Sequence, residues 1–404
     1  MEKNKDKIAL KRSLSLGLLI FYGLGTILGA GVYALIGKVA KHAALFSPIA
    51  FLLAALISFF TVVSYAELSS RYPVSAGEAY YVRKGFNRKW LSALTGWLII
   101  FTGLVSSAAI ANGFAGYLQV FISIPSWLAI IAVILLIATV ALWGITESAI
   151  MATVITLAEI GGLLLIVFIC GDDLKKLPDV WPQMVPSFHI NDWSGIAIGA
   201  FIAFYAYVGF EDIINVAEEV MAPKENLPLT LFIVLGIATV LYLLVDLSVI
   251  LALPINALAQ SEAPLALVVE QKGYSPILIT GISLIALVNG ILAQIIMASR
   301  VLYGMANQNN APQIFASVSK TTRTPVIATL LIATIVIIFA LCFPIETLAK
   351  ATSFILLCVF ILINLSLIRI KLRYGTQSGS ASYSMFFPIM GVVLSFLFLI
   401  AQCL

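Results

Sequence analysis

An all-α integral membrane protein of about eleven transmembrane helices is predicted, and three observations predict it. The first is composition. Of 404 residues, 61% are hydrophobic and 10% charged, whereas a soluble domain carries about 25% charged residues. The second is recurrence. Apolar runs of the roughly 20 residues that a helix needs to cross a bilayer repeat along the whole chain and leave no room for a soluble domain. The third is a pair of interruptions. Gly23 to Tyr33 reads G-L-G-T-I-L-G-A-G-V-Y, and Phe204 to Asp212 reads F-Y-A-Y-V-G-F-E-D, each inside such a run. A helix broken in lipid leaves backbone N–H and C=O groups unpaired. That is tolerated only where the break faces protein or a watery cavity.

The elements follow in order. A polar N-terminal stretch leads into the first apolar run, near 14–37, which holds the first break. No small-residue cleavage pattern is found there, so no cleavable signal peptide is expected. Runs near 43–66, 90–121, 125–145 and 149–170 complete a first set of five. Arg71 to Lys89 is basic, and Tyr80, Tyr81, Phe86 and Trp90 interleave with it, as aromatics at a membrane interface do. After an outer loop at 171–193 come runs near 194–217, with the second break, 228–252, 275–304, 325–343 and 346–369. A last run lies near 384–403. With the N-terminus inside and the spans alternating, 17 of the 23 Lys and Arg fall on the inner side and 6 on the outer. That bias places the N-terminus in the cytoplasm. Eleven spans then put the C-terminus outside.

The chain is poor in catalytic chemistry. Cys170, Cys342, Cys358 and Cys403 lie in apolar runs at no ligand-like spacing, and His42 and His189 are far apart near outer loops. No metal cluster, serine–histidine pair or phosphate loop can be built from them. No cofactor, metal or nucleic-acid partner is expected, and the basic loops read as orientation signals.

Five spans precede the outer loop and five follow it, and a broken span opens each set. An odd number of helices per set makes the second inverted relative to the first. This is the LeuT-type plan of a five-plus-five inverted repeat with an extra helix, known from transporters. The expected organisation is one membrane domain over 1–404, with repeats at about 14–170 and 194–369 and the extra helix at 384–403. The residues also resemble a family, the amino acid permeases of the amino acid–polyamine–organocation (APC) superfamily. The fragments are I-L-G-A-G-V-Y at Ile27–Tyr33, Y-P-V-S-A-G-E-A-Y at Tyr72–Tyr80 and F-Y-A-Y-V-G-F-E at Phe204–Glu211. A-E-E-V-M-A-P-K-E-N-L-P follows at Ala217–Pro228, then A-P-L-A at Ala263–Ala266 and S-R-V-L-Y-G-M-A at Ser299–Ala306. Family members commonly have at least twelve spans, so the last one or two are not found here. That bears on any dimer interface built from the final helices, not on the ten-helix core.

The half-helix beginning near Gly31 presents free N–H groups and a positive dipole end, where an anion docks readily. Gly29 and Gly31 let a carboxylate approach the backbone. Gly25 and Gly29 would also suit tight helix packing, which the closer Gly29-Ala30-Gly31 cluster fits less well. The resemblance implies that the Ala30 and Gly31 amides hold a substrate carboxylate and that the Ile27 carbonyl helps hold its amine. The second break ends a half-helix near Tyr205, whose orphan carbonyls suit an ammonium group. The resemblance implies that the Tyr205 and Val208 carbonyls, beside Gly209, take the amine and that the Tyr205 ring covers the ligand. For Glu211, an inner gate, a proton sensor and a helix-end cap are all open readings.

Glu159 is ionisable near mid-span, which costs at least ~2.5–3.5 kcal/mol on insertion scales. Proton-coupled relatives often carry Lys at the matching position. A buried carboxyl tends to be protonated, so Glu159 could carry the coupling proton, bind sodium, or sit neutral against a neighbouring helix. Asp246 reads as a solvated mouth or a helix contact. Asn289 and Gln294 could reach the ion region or act as interhelical glue. Nothing acidic in either break would obviously select a cationic side chain, and Ile27, Val208 and aromatics make the pocket apolar. The expected function is therefore secondary active transport of amino acids, neutral ones favoured, by alternating access, with a proton or sodium as coupling ion. Exchange and a non-transporting receptor are the rivals. The cell membrane is the expected location. A channel would need polar rings along a pore, and none is seen.

Overall fold

The computed structural model describes residues 12–403 except 29, 30, 75, 76, 144–148, 188, 308, 320, 321, 323, 376 and 378. Among the described residues the chain is helical and has no strand, only a single parallel bridge of Leu14 with Val220. Among the described residues, six helical stretches are long and apolar enough to cross a membrane by length and composition, and five further apolar helices are shorter.

The first apolar run forms α1 (Leu16–Leu28) and α2 (Gly31–Ala43). Gly29 and Ala30, between them, lie outside the described residues. Then come α3 (Ser47–Arg71), α4 (Gly77–Phe86), α5 (Lys89–Leu118), α6 (Ser126–Trp143) and α7 (Ala149–Ile169). The loop beyond folds into two single turns, α8 (Gly171–Leu174) and α9 (Leu177–Val180). The second broken run is α10 (Ile190–Phe204), a 3₁₀ turn at Tyr205–Tyr207, extended Val208, and a 3₁₀ stretch over Phe210–Glu219. α11 (Pro223–Ala252), the short α12 (Ile255–Gln260) and α13 (Pro264–Gln271), α14 (Ile277–Asn307), α15 (Val326–Cys342), α16 (Ile345–Tyr374) and α17 (Phe386–Cys403) complete the chain.

Local chemistry sets the ends. Pro48, Pro223 and Pro264 stand in the first turns of α3, α11 and α13, where a missing N–H costs nothing. Gly375 ends α16 with φ of +64°, a backbone that favours glycine. Lys41 and His42 lie in the last turn of α2, at the negative end of its dipole.

α5 packs along α14 and α16, and α3 packs along α11. α1 lies on α7 and α11, while α10 lies on α2 and α3. The two broken runs are thus held at the centre. Buried aromatics fill the space around them: Tyr65 meets Phe210 edge-on at 5.7 Å, and Phe204 and Phe210 both meet Phe360. Asp246 of α11 is fully buried, with one carboxylate oxygen on the Ser47 hydroxyl at the start of α3. It is a helix contact, not a solvated mouth.

Candidate substrate site

The two breaks lie directly against each other. A Cβ at Gly31 would overlap the Ala206 Cα. At Gly209, whose φ is +120°, a Cβ would stand 2.5 Å from the Thr26 carbonyl oxygen. Gly31 is therefore required for close approach, and Gly209 for close approach and for a backbone that side chains disfavour. Thr26 Oγ1 donates to the Gly209 carbonyl at 3.0 Å. From α11, the buried Tyr242 hydroxyl reaches both the Ile27 and Ala206 carbonyls at 2.8 Å. Ile27 lies at the end of the described part of α1. Tyr242 gives that carbonyl a donor and ties the first break to the second.

A cavity of about 780 Å³ begins at this contact. That lies within the range of roughly 300–1,000 Å³ usual for small-molecule sites. Ile27, Gly31, Tyr205 and Val208 wall its blind end, with Ser106 and Ile110 of α5 opposite. The lining then runs through Asp212, Asn215 and Gln294 to Ser13, Glu78, Glu219 and Arg300, at the end where α1 begins. Ion pairs gather away from this lining, around the end of α2 and the loop after α7. Lys38 meets Glu262 at 3.1 Å, and Lys41, His42 and Lys350 converge on Glu346 at 3.0, 2.7 and 3.0 Å. Lys175 and Lys176 pair with Asp172 and Asp173, and Lys272 also reaches Asp173. All six lysines assigned to the outer side from the sequence are thus in ion pairs.

The residues named from the sequence take distinct places. Ile27, Gly31, Tyr205 and Val208 meet at the blind end. Tyr205 is buried, its hydroxyl 3.0 Å from Ser106 Oγ and donating to the Ser106 carbonyl at 3.2 Å. The Tyr205 carbonyl already accepts the Val208 N–H at 3.1 Å. Glu211 turns back, and its carboxylate accepts the Gly209 N–H at 2.9 Å, the capping arrangement. Glu159 is buried in α7 beside the first break, where its carbonyl accepts the Tyr33 hydroxyl at 2.7 Å. It stands behind the cavity wall, while Thr156, one turn earlier, lines the cavity and donates to the Phe21 carbonyl of α1 at 3.1 Å.

Four participants were missed. Ser106 and Tyr242 sit in apolar helices where periodicity gives no hint of a polar task. Asp212 and Glu78 stood inside quoted motifs, and their adjacency needs the folded chain. Glu78 is buried in α4, where its burial, together with the nearby Asp212 charge, pushes its carboxyl up to about 8.

Apolar helices surround this cavity, and the two interrupted apolar runs meet at one end of it. The chain belongs to the amino acid permease family: the family model described as amino acid permease matches residues 14–404. Among relatives, it is 28% identical to the vacuolar cationic amino acid transporter 4 of Arabidopsis thaliana, over 93% of this chain and 66% of that protein. It is 26% identical to a branched-chain amino acid permease of Bacillus subtilis, over 90% and 82%. The methylthioribose transporter of Bacillus subtilis is 27% identical, over 97% and 87%. The chain therefore spans just under two thirds of the length of the Arabidopsis relative and most of the two bacterial ones.

Proposed function

We propose that this chain is a secondary transporter that moves amino acids across a cell membrane by alternating access. The observation that carries the reading is the contact of the two breaks at the blind end of a one-ended cavity. The N-terminus of α2 supplies N–H groups and a positive dipole end for the carboxylate. The amine lies toward the carbonyl-rich second break. The packing of α1 on α7 and α11, and of α10 on α3, fits two repeats at about 14–170 and 194–369 that share one membrane domain, with a helix at 384–403 beyond them. The excess of Lys and Arg assigns the N-terminal end to the cytoplasm, so the cavity opens inward. Glu159, packed beside the first break, is the coupling group, for a proton ahead of sodium. Glu211 controls the inner side of the second break through its hold on Gly209.

The test is uptake into liposomes. Purified protein loaded with unlabelled amino acids should accumulate a labelled amino acid by counterflow. Binding with no counterflow would mean a receptor, and counterflow with no net uptake would mean an obligate exchanger. The names of the relatives divide between cationic, branched-chain and methylthioribose substrates, so the side-chain preference has to be read from this chain's own cavity.

A further inference from the structure

The expected preference for neutral substrates rested on nothing acidic in either break that would obviously select a cationic side chain. One turn beyond the second break the cavity wall changes character. Asp212 follows Gly209 by three residues, about 6 Å along a 3₁₀ helix. Both Asp212 and Gln294 line the cavity, at 8% and 6% exposure. The Gln294 side chain crosses from α14 and its Nε2 donates to Asp212 Oδ2 at 3.3 Å. Asn215, one turn further along the same stretch, lines the cavity beside it. With its amide nitrogen committed there, Gln294 holds its Oε1 buried at the same wall, and that acceptor has no partner. Glu78 stands close by, with one oxygen 3.5 Å from the Tyr65 hydroxyl. Among the described residues, no Lys, Arg or His forms an ion pair with Glu78, Glu211 or Asp212. Arg300 lines the same cavity but is paired with none of these acids; a buried carboxylate beside an unfilled carbonyl acceptor, with no base bound to it among the described residues, is a site short of a donor that carries positive charge.

We propose that Asp212 and Gln294 form the side-chain subsite of this cavity and select amino acids whose side chains end in a cation. This rests on the amino acid reading above. With the α-carboxylate at the start of α2, a substrate must cross the apolar stretch of Ile27, Ile110 and Val208 before it meets Asp212. A four-carbon stem bearing an ammonium does this, the methylenes lying on the apolar wall and the charge reaching the acid. An apolar chain of the same length leaves Asp212 and the Gln294 oxygen unfilled and gains nothing from them.

Lysine and norleucine test this cleanly, because their side chains share four carbons and differ in the terminal ammonium. Affinity is read as ligand-induced stabilisation of the purified protein. Lysine should bind wild type at least tenfold more tightly than norleucine, and Asp212→Asn should cut that ratio at least tenfold while still melting cooperatively. Gln294→Met, which keeps the length and removes the acceptor, should lower the ratio in the same direction and serves if the Asp212 variant does not fold. A wild type that binds norleucine as well as lysine overturns the proposal, as does an unchanged ratio in a folded variant. Tight norleucine binding that strengthens as pH falls and is lost in Asp212→Asn also overturns it, since Asp212 would then hold a proton instead of the substrate. Failure of both ligands and of every other amino acid would sink the transporter reading itself, a different result from binding without discrimination.

Discussion

At the scale of single residues, the site depends on groups that are small, or that carry one hydroxyl. Tyr242 serves two carbonyls with one proton, and both carbonyls are buried at the junction of the breaks. Tyr242→Phe keeps the ring on Tyr207 and removes the donor. The unsatisfied carbonyls should cost about 1–3 kcal/mol, read as a lowered melting temperature in detergent. An unchanged melting temperature would mean that water replaces the hydroxyl there. Glu159→Gln keeps shape and mimics the protonated acid. It should retain counterflow but lose accumulation driven by a pH gradient in sodium-free liposomes, because a group that no longer binds a proton cannot favour one state over the other. Full pH-driven accumulation by this variant would remove Glu159 from the coupling step. Gly31 is also seen in a new light. Its substitution would block a carboxylate, as the sequence suggests, and would also drive a side chain into Ala206, so loss of binding at this position does not separate the two.

At the scale of elements, the helices were largely legible because each apolar run has a proline, glycine or charged residue near its ends. The run near 14–37 hid a second feature, since α2 extends to Ala43 through Lys38, Lys41 and His42. Those charges read as loop residues but are absorbed by ion pairs to Glu262 and Glu346. The amphipathic α4 was also unreadable as a site element. Its Glu78 touches the cavity because α4 packs on α5 and α16 with Gly77 against Ile214 of the 3₁₀ stretch, long-range contacts that no local pattern reports. Glu78 gives a pH test. Its carboxyl has an ordinary value of 4.5 and is pushed up to about 8 in the folded protein. Between those values the folded state holds more protons than the unfolded, so stability falls as pH rises through that window. Glu78→Gln should flatten this slope, so that the variant gains on wild type in melting temperature from pH 5 to pH 8.5. A wild-type slope unaffected by the substitution would place the titrating group elsewhere. A further element-scale expectation concerns Leu14 and Val220, the bridged pair that joins the lead into α1 to the end of the 3₁₀ stretch. In a background lacking the native cysteines, Leu14→Cys/Val220→Cys should form a disulfide on oxidation and still transport. Inhibition by oxidation that a reductant reverses would show that these two segments separate during the cycle.

At the scale of the whole molecule, class, helix order and the location of the blind end of the cavity followed from composition, recurrence and two interruptions. What did not follow was everything that depends on two distant segments meeting. Gly31 with Ala206, Ile27 with Tyr242 and Asp212 with Gln294 are separated by most of a hundred residues or more, and neither hydropathy nor spacing encodes such pairings. The polar lining beyond the second break is the clearest case. In the sequence, Glu211 and Asp212 are two adjacent acids. In the structure they diverge, one capping Gly209 and the other facing the cavity.

The ion-paired end of the molecule has one more consequence, and it is kinetic. The ion pairs there are partly hydrated: Lys41 is 49% and Glu262 56% exposed at the side chain, against 20% for Glu346 and 11% for Lys38. Such pairs are individually weak, and mobile ions screen them over a length of about 8 Å at physiological salt. The barrier to admitting solute from that side therefore varies with the electrolyte bathing it, while the hydroxyl and backbone contacts between the breaks are indifferent to it. Raising salt on that face alone should speed the first opening step, and the same salt on the opposite face should not.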